Sequence, residues 1–225
     1  MIENFGNDSS KGLTLVMEKH GTHDQKTHGN WANGFSNSEL EYPTQRSNPE
    51  LKDALKDYVV EYPEGVGHES VNSYLRQQLG YDNITPEYKD KIKSRISELD
   101  KLVKLSPSLP EQTTAYRGIG KKFALELEAA GVGKSFTDNG FTSVSLDKGI
   151  AGGFPSRPTG NLLEIVLPAG TKAVNPFKFF TQHIISNTDL KNEQELILGR
   201  GTTFDIVEIM DNVLVGKIIK VVARK

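Results

Sequence analysis

In the first half of the chain apolar residues recur at helical spacing, and in the second half they alternate along short runs. The stretch "SNPELKDALKDYVVEY", residues 47–62, sets Leu51, Leu55, Tyr58 and Val59 on one helical face, behind a capping Ser or Asn and with Pro49 in the first turn. That pattern predicts an amphipathic helix. A second helix is predicted over "HESVNSYLRQQLG", ended by Gly80. A third is predicted over "TPEYKDKIKSRISELDKLVKL", where Tyr88, Ile92, Ile96, Leu99 and Val103 form one stripe. "SPSLPEQTT" then breaks the periodicity. From Thr114 onward the chain gives β-type runs, "TAYRGI", "GFTSVSL", "NLLEIVLP", "ELILG", "TFDIVEIM" and "KIIKVVA", separated by Gly, Pro and Asn and interrupted by one helix-like piece, "KKFALELEAAG". Helices first and strands afterwards predict an α+β architecture with an antiparallel or mixed sheet.

Residues 1–46 follow neither pattern. They are rich in Gly, Asn, Ser, Thr and His and are expected to form a flexible tail. This leaves 47–225 as one catalytic-size domain, helical over 47–105 and β-rich over 114–225. His20, His23 and His28 lie close together in the tail. Three imidazoles can ligate a metal, but glycines surround them and no carboxylate cluster accompanies them, so the plainer reading as a polar segment is preferred and no metal is expected. The same stretch is similar to segments of phage head and portal-linked proteins, which makes a virion-carried component one expectation.

Composition narrows the chemistry. A net charge of −2 from 27 basic and 29 acidic residues gives no polycationic surface and no strong nucleic-acid signal. Without cysteine, disulfides, thiolate zinc sites and thiol catalysis are excluded. The N-terminal "MIENFGNDSSKG" lacks a basic segment followed by an apolar one, and no apolar run is long enough to span a bilayer. A soluble protein without a standard signal peptide is expected. "GVGKS", residues 131–135, resembles the end of a phosphate-cradling loop, but the loop's first glycine would fall at Glu128, and the segment follows a helix where the motif requires a strand.

Three strand-like segments hold polar residues where a structural strand prefers apolar ones. Arg117 sits mid-strand in "AYRGI", where its guanidinium must meet a cleft or a buried acid; an interior salt bridge is the plainer reading. Ser143 and Ser145 share one face in "FTSVSL", as do Glu193 and Glu195 in "NEQELIL". Two carboxylates side by side are costly to bury unless a cation meets them, and a solvated strand edge is the plainer alternative.

These segments, in this order, resemble the arginine–serine–glutamate class of ADP-ribosyltransferases, particularly the toxin-like branch that includes actin-modifying binary-toxin enzymes. "YRG" corresponds to that family's aromatic-Arg-Gly strand, "FTSVS" to its Ser-Thr-Ser strand and "EQE" to its Glu-x-Glu turn. "YVVEYPEGVGHESVNSYLR" resembles its helix with spaced tyrosines and the following Ile-Asn-x-x-Leu-Arg segment, and "ELILGRGTTFDIV" its final strand pair. The resemblance spans residues 50–222. Val144 replaces the middle threonine, and Gly199 stands where a proline is common.

The resemblance implies a fold of N-terminal helices packed on a two-sheet mixed or antiparallel β core, with NAD as substrate. It implies that Glu195 stabilises the charge developing on the ribose of NAD, that Arg117 with Gly118 meets the diphosphate, and that Ser143 holds Glu195 and the ribose. "GGFPSRPTG" falls where the family grips phosphate and nicotinamide, making Phe154 a candidate stacking ring and Arg157 a second phosphate contact. Tyr58, Tyr62 and Asn72 are carried over from the helical motif. A glutamate at Glu193 goes in the family with an arginine acceptor, implying transfer of ADP-ribose to an arginine on a target protein in a cell the protein is delivered to. NAD hydrolysis without an acceptor, or a noncatalytic binding module on the same fold, are the alternatives.

Overall fold

A computed structural model of the chain describes residues 49–60, 66–78, 84–153, 160–176, 194–212 and 216–224. Tyr62, Phe154, Arg157 and Glu193, and the tail with His20, His23 and His28, lie outside the described residues. The three predicted helices are present as α1 (Pro49–Val60), α2 (His68–Leu75) and α3 (Pro86–Leu105). The Thr85 hydroxyl caps α3 by accepting from the Tyr88 N–H at 3.3 Å, and Pro86 follows it in the first turn. Ile92, Ile96, Leu99 and Leu102 form the buried stripe of α3, with Tyr88 and Val103 at its margins. Arg95 ties α3 to α1 through Asp57 at 2.5 Å. No described helix is long and apolar enough to cross a membrane.

The second half contains β1 (Thr113–Ile119), α4 (Lys121–Ala130), β2 (Ser135–Asp138), β3 (Thr142–Ser145), α5 (Lys148–Gly153), β4 (Asn161–Leu167), β5 (Ala173–Val174), β6 (Glu195–Leu198), β7 (Thr202–Asn212) and β8 (Gly216–Ala223). Helix α5 is an addition to the sequence reading. Its first turn is stabilised by Asp147, whose carboxylate accepts from the Gly149 and Ile150 N–H groups at 2.7 and 3.2 Å. The residues Gly131–Ser135 lead from α4 into β2, so the phosphate-loop fragment has a helix before it and a strand after it.

The strands run in the order β2-β7-β8-β4-β1-β3-β6-β5, with β4 and β8 parallel and all other neighbours antiparallel. The class is therefore α+β with a mixed sheet, as expected. The expected two sheets are joined into one hydrogen-bonded ladder, and the joint is narrow. Strand β1 pairs with β4 along its whole length but meets β3 at the single pair Tyr116↔Ser145.

Alternation along β3 and β6 decides what each face of the smaller wing touches. Val144, Leu196 and Leu198 enter the main core with Ala115, Leu163, Ile165, Phe204 and Ile219. On the opposite face Ile197 joins Phe141 and Val174 in a second core with Leu55, Tyr58, Val71, Ile92 and Leu99 of the helices. Ser143 lies opposite Ile197 and Ser145 opposite Glu195, so both serines and the glutamate share the face turned toward the helical lobe.

Candidate active site

The seam between the helices and the β3–β6 wing is built around Tyr58, which α1 buries almost completely, at 1% exposure. Its hydroxyl accepts from the Asn72 Nδ2 at 3.0 Å, and the Asn72 Oδ1 accepts from the Phe141 N–H at 2.8 Å. The Phe141 ring meets Tyr58 edge-on, with centroids 5.9 Å apart. Burial pushes the Tyr58 pKa up to about 12. Hydrogen bonding by Asn72 opposes this, the Glu195 charge adds to it, and hydrogen bonding by Ser143 and the Arg117 charge oppose it. The phenol thus stays protonated at neutral pH, and Ser143, Glu195 and Arg117, contributed by three different strands, all bear on its oxygen.

Arg117 reaches this seam from β1, where its flanking neighbours on the same face, Ala115 and Ile119, are buried. A guanidinium in such a row needs an anion, and Asp138 at the end of β2 supplies one at 3.4 Å. The plainer reading of Arg117 as an interior salt bridge is therefore present, yet its side chain keeps 27% exposure. Burial lowers the Arg117 pKa, Asp138 raises it and Arg76 lowers it further; the net direction is down.

Asp138 also takes both arms of Arg76, from the end of α2, at 2.8 Å from Nε and 2.9 Å from Nη2. Burial works against its carboxylate, but the Arg76 hydrogen bonds and charge, the Arg117 charge and the Gly140 N–H outweigh it and hold its pKa below the ordinary aspartate value. Neither Asp138 nor a role for Arg76 emerged from the sequence. Arg76 closes the quoted "SYLR" segment, whereas Asp138 is hidden in "TDNG", which reads as a plain turn. The one available signal was the unmet need of Arg117 for an acid.

Gly118 follows Arg117 in β1, opposite Leu162 of β4. Ser145 serves the turn into α5, its Oγ accepting from the Asp147 N–H at 3.0 Å, so of the two serines Ser143 is the one that bears on Tyr58. Glu195 opens β6 directly after Gln194, whose φ of +46° is left-handed. The turn is fastened where the Leu146 N–H donates to the Gln194 carbonyl at 3.1 Å. Among the described residues the buried Gln194 Oε1 has no hydrogen-bond partner. The described residues thus bring together Tyr58, Asn72, Arg117, Ser143 and Glu195. Among them, no group of three or more His, Asp or Glu residues is placed to hold a metal.

The solved structures similar to this one include the Clostridium limosum C3 exoenzyme, 18% identical over 92% of this chain and 97% of that one, with a TM-score of 0.62. C3stau2 from S. aureus, solved with NAD, is 18% identical over 92% of this chain and 98% of that one, with a TM-score of 0.62. The ADP-ribosyltransferase Vis, solved with agmatine, is 20% identical over 92% of this chain and 89% of that one, with a TM-score of 0.63. Among curated proteins none matches the sequence. The sequence model of the ADP-ribosyltransferase exoenzymes matches residues 25–223, nearly the whole chain. The protein belongs to the ADP-ribosyltransferase exoenzyme family.

Proposed function

We propose that the protein moves ADP-ribose from NAD to an arginine side chain of a target protein and releases nicotinamide. The observation that carries this is the convergence of Arg117, Ser143 and Glu195 on the buried Tyr58 hydroxyl in a chain of this family. The bond broken joins the nicotinamide nitrogen to the ribose C1′, and positive charge develops on the ribose as it lengthens, as in glycoside hydrolysis. Glu195 stabilises that charge and bonds a ribose hydroxyl, while Ser143 fixes the carboxylate. Tyr58, held neutral, places no competing anion beside it. Arg117 meets the diphosphate with its planar fork, aided by Gly118 and by Arg157. By the family resemblance Phe154 is the ring for stacking on the nicotinamide end, and Tyr62, Tyr58 and Asn72 are the NAD-binding residues of the helical motif.

Glu193 selects the acceptor. A carboxylate two residues before Glu195 receives an incoming guanidinium bidentately and takes its proton as the guanidinium nitrogen bonds to C1′. Agmatine, present in the Vis structure, carries the same guanidinium group. On this reading the protein works in a cell it enters from outside or from a virion, with kinship to the binary-toxin enzymes. Incubation with NAD labelled in its adenylate half and a cell lysate tests the reading. A labelled protein whose adduct maps to arginine supports it. Free ADP-ribose alone supports a hydrolase instead, and the absence of both products supports a noncatalytic module.

A further inference from the structure

Both oxygens of Asp138 are fully engaged. Oδ1 accepts from the Arg76 Nε at 2.8 Å and the Gly140 N–H at 2.9 Å, and Oδ2 from the Arg76 Nη2 at 2.9 Å and the Thr142 hydroxyl at 3.0 Å. Four donors fill the roughly four lone-pair sites of a carboxylate. Arg117 is the fifth donor and the most distant, at 3.4 Å. Asp138 is only 15% exposed, and its four close donors come from α2, the β2–β3 turn and β3. It is an anion locked by the fold, with one guanidinium clamped to it and a second only leaning on it.

We propose that Asp138 is a positioning residue for the diphosphate of NAD: it aims Arg117 into the cleft and, being already saturated, releases it to a phosphate oxygen. This rests on reading the seam as an NAD site. Arg76, spent on Asp138 and also donating to the Phe141 carbonyl at 3.4 Å, is the strut, and Arg117 is the arm that moves. One carboxylate between two guanidiniums leaves a surplus positive charge, which matches an anionic diphosphate. Two effects compete on removing the Asp138 charge. Loss of a nearby anion favours phosphate, whereas loss of the lock frees two like-charged guanidiniums to repel each other. The lock carries more, since without it neither guanidinium has a fixed direction.

The test is a calorimetric titration of the full chain and its Asp138→Asn variant with NAD, together with a ligand-observed NMR titration with nicotinamide riboside, which lacks the diphosphate. For NAD the dissociation constant should rise about tenfold, the loss of about 1.4 kcal/mol of charge-assisted bonding. For nicotinamide riboside it should not change. Equal weakening of both ligands means a merely structural role, and unchanged or tighter NAD binding means a merely screening one; either overturns the proposal. If Asp138→Asn fails to fold, Thr142→Val withdraws one donor and keeps every charge. A twofold to fivefold weakening for NAD alone is then expected, on the order of one neutral hydrogen bond, and no change overturns the proposal. A native chain that binds no NAD at all would overturn the site reading itself, a result distinct from any of these.

Discussion

Asn72 holds Tyr58 with its amide nitrogen, 3.0 Å from the hydroxyl, and holds the backbone of Phe141 with its amide oxygen, at 2.8 Å. One buried side chain from α2 thus fixes the phenol of α1 against the strand that carries Ser143. Replacing it by alanine takes one partner from the buried Tyr58 hydroxyl, which keeps Ser143, and strands the buried Phe141 N–H, a loss of about 1–3 kcal/mol. Asn72→Ala should therefore lower unfolding stability in urea by about 2 kcal/mol or more. Combining it with Tyr58→Phe should cost less than the sum of the two single changes, because the hydroxyl that lost this partner is gone. Additive losses would show that the two side chains do not act together.

Gly140 lies where nothing larger fits. A Cβ there would stand 2.7 Å from the Asn72 Oδ1 and 2.9 Å from both the Arg76 Cζ and Nε. Both neighbours are held by bonds of their own, so the turn must move instead. Gly140→Ala should lose about 1–3 kcal/mol of stability and weaken NAD binding as well, since it displaces the arginine that clamps Asp138. Thermal unfolding and NAD titration on the same sample check this; a variant with native values for both contradicts it.

Tyr58 gives an alkaline signature. An unfolded tyrosine ionises near 10.0, whereas in the fold this one ionises near 12. The folded pKa is raised, so the stability is complete below pH 10 and is lost as the pH climbs from there to 12. The loss should approach about 3 kcal/mol. Tyr58→Phe should lack this part of the alkaline decline, and chemical denaturation midpoints at pH 9, 10 and 11 would reveal the difference. Superimposable declines would place the ionisation elsewhere.

The two glutamates should separate by reaction. Glu195→Gln should remove about 100-fold or more from both NAD cleavage and transfer, as expected for a group that stabilises the transition state. Glu193→Gln should spare NAD cleavage and depress transfer, since it acts on the acceptor. Nicotinamide release measured with and without an arginine-bearing acceptor distinguishes them, and parallel losses in Glu193→Gln would refute the division of labour.

Much of this was legible from patterning. The stripe of α3 and the polar breaks in β1, β3 and β6 each follow from local periodicity. What local pattern could not supply was pairing across the chain. Asp138 makes an ordinary turn bond to the Gly140 N–H, which accounts for an aspartate in "TDNG" without further need. Its role with Arg76, 62 positions away, depends on how α2 lies against β2. Alternation put Ser143 and Ser145 on one face, yet only the α5 turn assigns Ser145 to Asp147. Helix α5 itself escaped because three of its six residues are glycine, and glycine is a poor helix former.

The narrow joint between β1 and β3 acquires a mechanical meaning once the seam is read as the proposed NAD site. Arg117 adjoins Tyr116 on one side of that rung, and Ser143 and Glu195 belong to the wing on the other. A ladder held by one rung can part locally without melting either half, so its breathing should be far easier than global unfolding and visible as faster amide exchange there. On that reading the strands are laddered together on either side and joined by one pair along the line between them, where a long dinucleotide would have to be admitted and its products let go.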